Sequence, residues 1–153
     1  MATEIERKFL VGGPGWKSGV RSKHSIRQGY LVSTERITVR VRIIDEKAAT
    51  LTVKTAQATG VRNEYEYEIP VRDAGEIIRN CTGAIICKER HLIPSGSYTW
   101  EVDEFLGEHS GLVIAEIELP AVDTLFEKPD WIGAEVTADP RFYNSTLARR
   151  RAA

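Results

Sequence analysis

Charged side chains recur at every second position in Glu4-Ile5-Glu6-Arg7-Lys8, Arg40-Val41-Arg42, Glu64-Tyr65-Glu66-Tyr67-Glu68, Lys88-Glu89-Arg90, Glu101-Val102-Asp103 and Glu116-Ile117-Glu118. Two is the period of a β-strand, whose successive side chains point to opposite faces. The pattern predicts strands over residues 3–11, 25–33, 37–44, 49–55, 62–70, 84–93, 97–105 and 112–119, all rich in β-branched and aromatic residues. Asp45-Glu46-Lys47 and Pro94-Ser95-Gly96 read as tight hairpin connections, and Gly12-Gly13-Pro14-Gly15 ends the first strand, so neighbours are expected to pair antiparallel. Helical signal is confined to 73–80 capped by Asp73, 123–127 stopped by Pro129, and 144–151 capped by Asn144 with arginines in its last turn. The helices are expected to cover the sheet. No repeat, low-complexity tract or linker divides the chain, and residues 1–153 read as one domain.

Two foldings satisfy this alternation. In a sandwich, Ile5, Val41, Leu51, Val53, Tyr65, Tyr67, Trp100, Val102, Ile117 and Leu119 form the core and the charges face water. In a closed barrel the charges line the interior, and the apolar set turns outward against helices. Recurrence over so many segments, with the two signs in separate sets, favours the barrel. Lys8, Arg40, Arg42, Lys54, Arg62, Lys88 and Arg90 make the basic set, and Glu4, Glu6, Glu64, Glu66, Glu101, Asp103, Glu116 and Glu118 the acidic one. So many enclosed carboxylates cannot all stay ionised without a cation among them. Hard carboxylate oxygens suit Mg²⁺ or Mn²⁺, while arginine forks and lysine ammoniums suit phosphate. Together they point to a metal-polyphosphate site.

Composition narrows this little but excludes several classes. A chain of 153 residues is long enough for one core, and a net charge of -1 offers no global basic field for nucleic acid or acidic membranes. No apolar run reaches the roughly 20 residues of a membrane span, and the charged start lacks a signal peptide's apolar run, so a soluble, cytoplasmic protein is expected. Cys81 and Cys87 suit neither a disulfide framework nor a zinc site and are expected to be reduced. His24, His91 and His109 are dispersed and are read as surface or supporting residues. Gly12-Gly13-Pro14-Gly15-Trp16-Lys17-Ser18 ends like a P-loop, but Trp16 stands where a glycine is required and Pro14 removes an amide donor, so it reads as a turn. Trp16, Trp131 and Phe142 are read as packing residues, with a homodimer contact as the alternative.

Glu4-Ile5-Glu6-Arg7-Lys8 resembles the E-x-E-x-K signature of the CYTH domain, or triphosphate tunnel metalloenzyme, superfamily. Thr38-Val39-Arg40-Val41-Arg42 is similar to its paired-arginine strand, Leu51-Thr52-Val53-Lys54 to its lysine strand, and Arg62-Asn63-Glu64-Tyr65-Glu66 to its acidic third strand. Lys88 and Arg90, Glu101 and Asp103, and Glu116 and Glu118 follow in the family's order. Trp131-Ile132-Gly133-Ala134-Glu135-Val136-Thr137 and Arg141-Phe142-Tyr143-Asn144 resemble the closing segment of its small bacterial members, which are chiefly inorganic triphosphatases. Some relatives place a lysine near Tyr143.

The resemblance implies a mainly β (α+β) fold, a closed eight-stranded antiparallel β-barrel or tunnel with a few short helices packed outside. It implies a divalent-metal-dependent enzyme acting on linear triphosphates, with hydrolysis of inorganic tripolyphosphate to pyrophosphate and orthophosphate as the leading expectation. A CYTH-type adenylyl cyclase, a thiamine or nucleoside triphosphatase, and a non-catalytic polyphosphate or nucleotide sensor are the alternatives. The expected catalytic residues are Lys8, Glu4, Glu6, Glu116 and Glu118, and the expected substrate-binding residues are Lys8, Arg40, Arg42, Lys54, Arg62, Lys88 and Arg90. The metal set is Glu4, Glu6, Glu64, Glu66, Glu101, Asp103, Glu116 and Glu118, holding two Mg²⁺ or Mn²⁺ ions. Glu6, Glu116 and Glu118 are assigned to one ion, and Glu4, Glu101 or Asp103 to the second. The expected partner is a small-molecule triphosphate, with neither nucleic acid nor membrane.

Overall fold

Strands β1 (Ala2–Val11), β2 (Ser22–Ser33), β3 (Ile37–Ile44), β4 (Ala48–Ala58), β5 (Val61–Ile69), β6 (Ile86–Ser95), β7 (Tyr98–Phe105) and β8 (Val113–Glu118) follow the period-two segments of the sequence. In the computed structural model, which describes residues 2–58 and 60–149, they pair antiparallel in the order β5-β4-β3-β2-β6-β7-β8-β1. Pairing of Ala2–Ile5 with β5 closes the ring. The barrel therefore has no free edge around most of its girth. Where β5 leaves, a ninth strand, β9 (Ile132–Glu135), continues on the same edge of β1. Its four residues are too few to carry an alternation signal, and the sequence reading missed it.

Both hairpins form, the first at Asp45-Glu46-Lys47 as expected and the second at Gly96-Ser97, with Pro94 and Ser95 still paired in β6. At the β3–β4 turn Asp45 and Glu46 adopt positive φ of 53° and 54°. Asp45 accepts a hydrogen bond from the Ser25 amide at 2.8 Å and its other oxygen meets His24 Nδ1 at 2.7 Å, while Arg27 forks onto Glu46 at 2.8 and 2.9 Å. Those bonds hold a left-handed turn without glycine. Gly60, at φ +75°, accepts from the Glu6 amide at 3.1 Å. A Cβ there would lie 3.1 Å from the Glu6 carbonyl oxygen, so a small residue lets this turn rest on β1 at the closure.

The apolar residues between the charges pack outside the barrel. Helix α1 (Val71–Arg79) lays Ala74 and Ile78 on Val41, Ile43 and Ala49. Its N-cap is Pro70, not the Asp73 read from the sequence; Asp73 lies in the first turn, where its charge suits the helix dipole. On the opposite flank Phe9, Trp100, Val102, Ala115 and Ile117 are covered by Trp16 and by the strap between β8 and β9. The helix expected over 123–127 is absent. Phe126 is instead drawn edge-on against Phe9 and Trp100, and Pro129 disfavours helical backbone just before it, so five residues cannot nucleate a helix.

Helix α2 (Asn144–Leu147) differs from α1 in where it sits. Leu147 and Ala148 pack on Ile86, Phe105 and Ile114, which share the inner face of their strands, so α2 stoppers one end of the barrel. Its N-cap is Tyr143, and residues 150–151 of the expected helix lie outside the described residues. Cys81 and Cys87 are free, half-buried thiols. Among the described residues no helix is long and apolar enough to cross a membrane.

Candidate active site

The inner faces of the strands enclose a cavity of about 230 Å³. Strand β1 contributes Glu4, Glu6 and Lys8; β3 contributes Thr38, Arg40 and Arg42; β4 contributes Thr52 and Lys54; and β5 contributes Arg62, Glu64 and Glu66. Arg90 of β6, Glu101 of β7 and Glu116 and Glu118 of β8 complete the wall. Glu4 and Arg40 are each 9% exposed and Glu116 5%, while Val41 and Ile117 are buried on the other side of the same strands. The charges are thus the lining of a tunnel and not the wet face of a sandwich.

Register sorts this lining by sign. Glu6 stands opposite Glu118 across β1–β8, and Glu101 opposite Glu116 across β7–β8. Carboxylates directly opposite one another repel, so three adjacent strands present an acidic wall that favours a proton or a cation. Arg40, Arg42 and Lys54 lie on the adjacent strands β3 and β4. Arg40 Nε is buried without a hydrogen-bond partner among the described residues. Around the wall, Lys54 Nζ meets Glu4 at 2.7 Å and Glu64 at 3.7 Å, Lys8 Nζ meets Glu116 at 3.6 Å, and Arg42 donates to Gln28 at 2.7 Å. Thr52 donates to Glu66 at 3.0 Å.

Two residues assigned to the site from the sequence lie beneath the cavity. Lys88 and Asp103 are both 0% exposed and form an ion pair at 2.7 Å. Arg90 forks onto Asp103 at 2.8 and 2.9 Å and reaches Glu101 at 3.0 Å, and Lys88 also donates to Asn144 at 2.8 Å. With two cations already on it, Asp103 aims Arg90 into the cavity. The other sequence-assigned residues are brought together on the cavity wall: Glu4, Glu6, Lys8, Arg40, Arg42, Lys54, Arg62, Glu64, Glu66, Arg90, Glu101, Glu116 and Glu118.

The lining also includes Tyr30, Thr38, Thr52, Tyr143, Asn144 and Ser145, which the sequence reading did not assign. Lys8 Nζ lies 5.6 Å and Arg62 Cζ 5.5 Å from the Tyr143 ring centroid, so the aromatic face steadies two cations. Phe142 lends its carbonyl to Lys8 at 3.2 Å. Tyr30, two residues along from Gln28, was legible only as a strand position.

The acids titrate apart. Burial, reinforced by Glu116, raises Glu6 to about 8. Burial also acts on Glu116, but Lys8, Arg90 and Lys88, with a hydrogen bond from Glu6, hold it well below the usual carboxylate range. Near neutral pH Glu6 therefore keeps its proton while Glu116 is ionised. Burial raises Glu118, with Glu4 and Glu101 adding to it, and burial raises Glu4 against the pull of Lys54. On the basic side, burial followed by Arg40 and Arg90 pulls Arg42 down, a crowding that an anion would relieve. A dication replacing the proton, and an anion joining the guanidiniums, answer the same imbalance from its two ends. The metal-facing donors are all carboxylate oxygens, a set that fits Mg²⁺ or Mn²⁺.

The chain matches the CYTH domain over residues 2–146. It is 51% identical over 151 residues to the inorganic triphosphatase of Acetivibrio thermocellus, covering 97% of this chain and 95% of that protein. It is 35% identical over 153 residues to the inorganic triphosphatase of Nitrosomonas europaea, covering 95% and 97%. The crystal structure of the inorganic triphosphatase NE1496 superposes with a TM-score of 0.71 at 34% identity, covering 100% of this chain and 99% of that one.

Proposed function

This chain belongs to the CYTH domain family, and on that premise we propose that it is a divalent-metal-dependent hydrolase of linear triphosphates, with inorganic tripolyphosphate as substrate and pyrophosphate and orthophosphate as products. The observation that carries this reading is the lining, with carboxylates and Lys8 on β7, β8 and β1, and cations on β3 and β4 beside Glu64 and Glu66 of β5, around one enclosed cavity. The names of the two relatives agree with it.

Arg40, Arg42, Lys54, Arg62, Lys8 and Arg90 grip the phosphate oxygens, the arginines by forks and the lysines as point charges. The free Arg40 donor takes an oxygen without breaking a protein bond. Glu6, Glu116 and Glu118 would hold one Mg²⁺ or Mn²⁺, and Glu4 with Glu101 would support a second. When bound, such ions neutralise phosphate oxygens and lower the pKa of the attacking water. Glu6 gives up its proton as the site is charged, and the carboxylates orient the water toward a terminal phosphorus. Lys88 and Asp103 hold Arg90 in place from below. The rate enhancement comes from positioning and electrostatic stabilisation, with water as the nucleophile.

The test is purified protein with Mg²⁺ or Mn²⁺, offered tripolyphosphate, ATP and thiamine triphosphate in parallel. Orthophosphate and pyrophosphate chiefly from tripolyphosphate is the expected result. Cyclic AMP with pyrophosphate from ATP would replace the proposal by a cyclase, and saturable binding without product would replace it by a sensor.

A further inference from the structure

We propose that Glu89, His91 and Glu104 form a second metal site, on the outside of the barrel, for a transition-metal dication of the zinc class. Its argument is independent of the triphosphatase reading. Glu89 and Glu104 stand directly opposite each other across β6–β7, a like-charge pair in a position that ordinarily disfavours one. His91, two residues along β6, shares their face.

His91 is 8% exposed, shielded by Trp16, whose ring stands edge-on to the imidazole with centroids 4.7 Å apart. Its Nε2 is buried and has no hydrogen-bond partner among the described residues. That atom lies 3.4 Å from Glu104 Oε1 and 4.0 Å from Glu89 Oε2, and the three donor atoms all fall within 4.8 Å of one another. A tetrahedral zinc with ligand bonds near 2.0–2.1 Å needs donors roughly 3.3 Å apart. The histidine edge to Glu104 is already close to that. The two carboxylates are 32% and 39% exposed in their side chains, so they can pivot inward while the imidazole stays fixed. Lys23 Nζ, 3.4 Å from Glu89 Oε2 and itself exposed, is the only lysine or arginine near them among the described salt bridges, and it can swing away.

One imidazole nitrogen with two carboxylates suits Zn²⁺, Mn²⁺, Co²⁺ or Ni²⁺, whereas the all-carboxylate tunnel suits harder ions. A bound ion would remove the Glu89–Glu104 repulsion and tie β6 to β7 beneath Trp16. The expected consequence is a more heat-resistant fold.

Zn²⁺ binding is measured by equilibrium dialysis in millimolar Mg²⁺, and the thermal midpoint by circular dichroism, for wild type, H91A, E104Q and the tunnel variant E116Q. Wild type and E116Q should take up the outer zinc and melt higher with it. H91A and E104Q should bind it at least about tenfold more weakly, with the tripolyphosphate turnover of H91A in Mg²⁺ unchanged. Should H91A fail to fold, E104Q, altered at a half-exposed carboxylate, carries the test alone. Equal zinc uptake by E104Q and wild type, disappearance of the site in E116Q, or no zinc on wild type would overturn the proposal and leave an internal ion pair only.

Discussion

Protons and metal ions should compete at Glu6. The burial that lifts its carboxyl to about 8 means that one proton must leave when a dication arrives. At pH 6, two units below that value, only about one Glu6 in a hundred is ionised, so metal binds about a hundredfold more weakly than above pH 8, close to 2.7 kcal/mol. The sign is opposite for the metal-free fold. A carboxyl whose folded pKa lies above its unfolded value of 4.5 stabilises the native state at low pH, and that contribution declines as pH rises from 4.5 to about 8. Metal-free protein should therefore lose thermal midpoint over that window, and Mn²⁺ should restore it most at the alkaline end. The assay is calorimetric titration of Mn²⁺ from pH 6 to 9 in two buffers of different ionisation enthalpy, for wild type and E6Q. Wild type should gain about one decade of affinity per pH unit, level off near 8 and release a proton to the buffer. E6Q should bind more weakly with a much flatter profile. An affinity independent of pH between 6 and 8 in wild type would refute the reasoning.

Glu116→Ala should reduce tripolyphosphate turnover by at least about a thousandfold while the circular dichroism spectrum stays native, since it removes a carboxylate from the acidic wall and frees Lys8; near-wild-type metal-dependent rates would discredit the assignment. Asp103→Asn leaves Lys88 buried without its anion and Arg90 with Glu101 alone, and a loss of about 3–5 kcal/mol in urea unfolding is expected. Trp100→Ala empties a fully buried site between Phe9, Phe126 and Trp131 and should cost about 3–5 kcal/mol, with KM for tripolyphosphate little changed at temperatures where the variant is folded.

Most strands were legible because their charges recur at every second position, and because residues such as Val41 and Ile117 are apolar between charges. Periodicity alone does not say which face is inside. Sorting the charges by sign did, because separate acidic and basic sets make sense only around a shared interior. What escaped depends on contacts distant in sequence. Lys88 and Asp103 alternate like their neighbours, and only the β6–β7 register, in which Arg90 faces Asp103, converts them into a buried support. Asn144 was read as a helix cap from its local sequence, whereas its side chain accepts from Lys88, 56 residues away. Tyr143 and Ser145 reach the lumen because Leu147 anchors the C-terminal segment on Ile86, Phe105 and Ile114, a packing that no short motif announces.

The central claim is that one tunnel holds the metal on its acidic wall and the triphosphate on its basic one. Crystals grown with Mn²⁺ and a hydrolysis-resistant imido analogue of tripolyphosphate test it directly. Anomalous scattering should place manganese among Glu6, Glu116 and Glu118, with analogue oxygens on Arg40, Arg42 and Lys54. Manganese and analogue bound outside the barrel, with these side chains still paired as in the ligand-free chain, would contradict it.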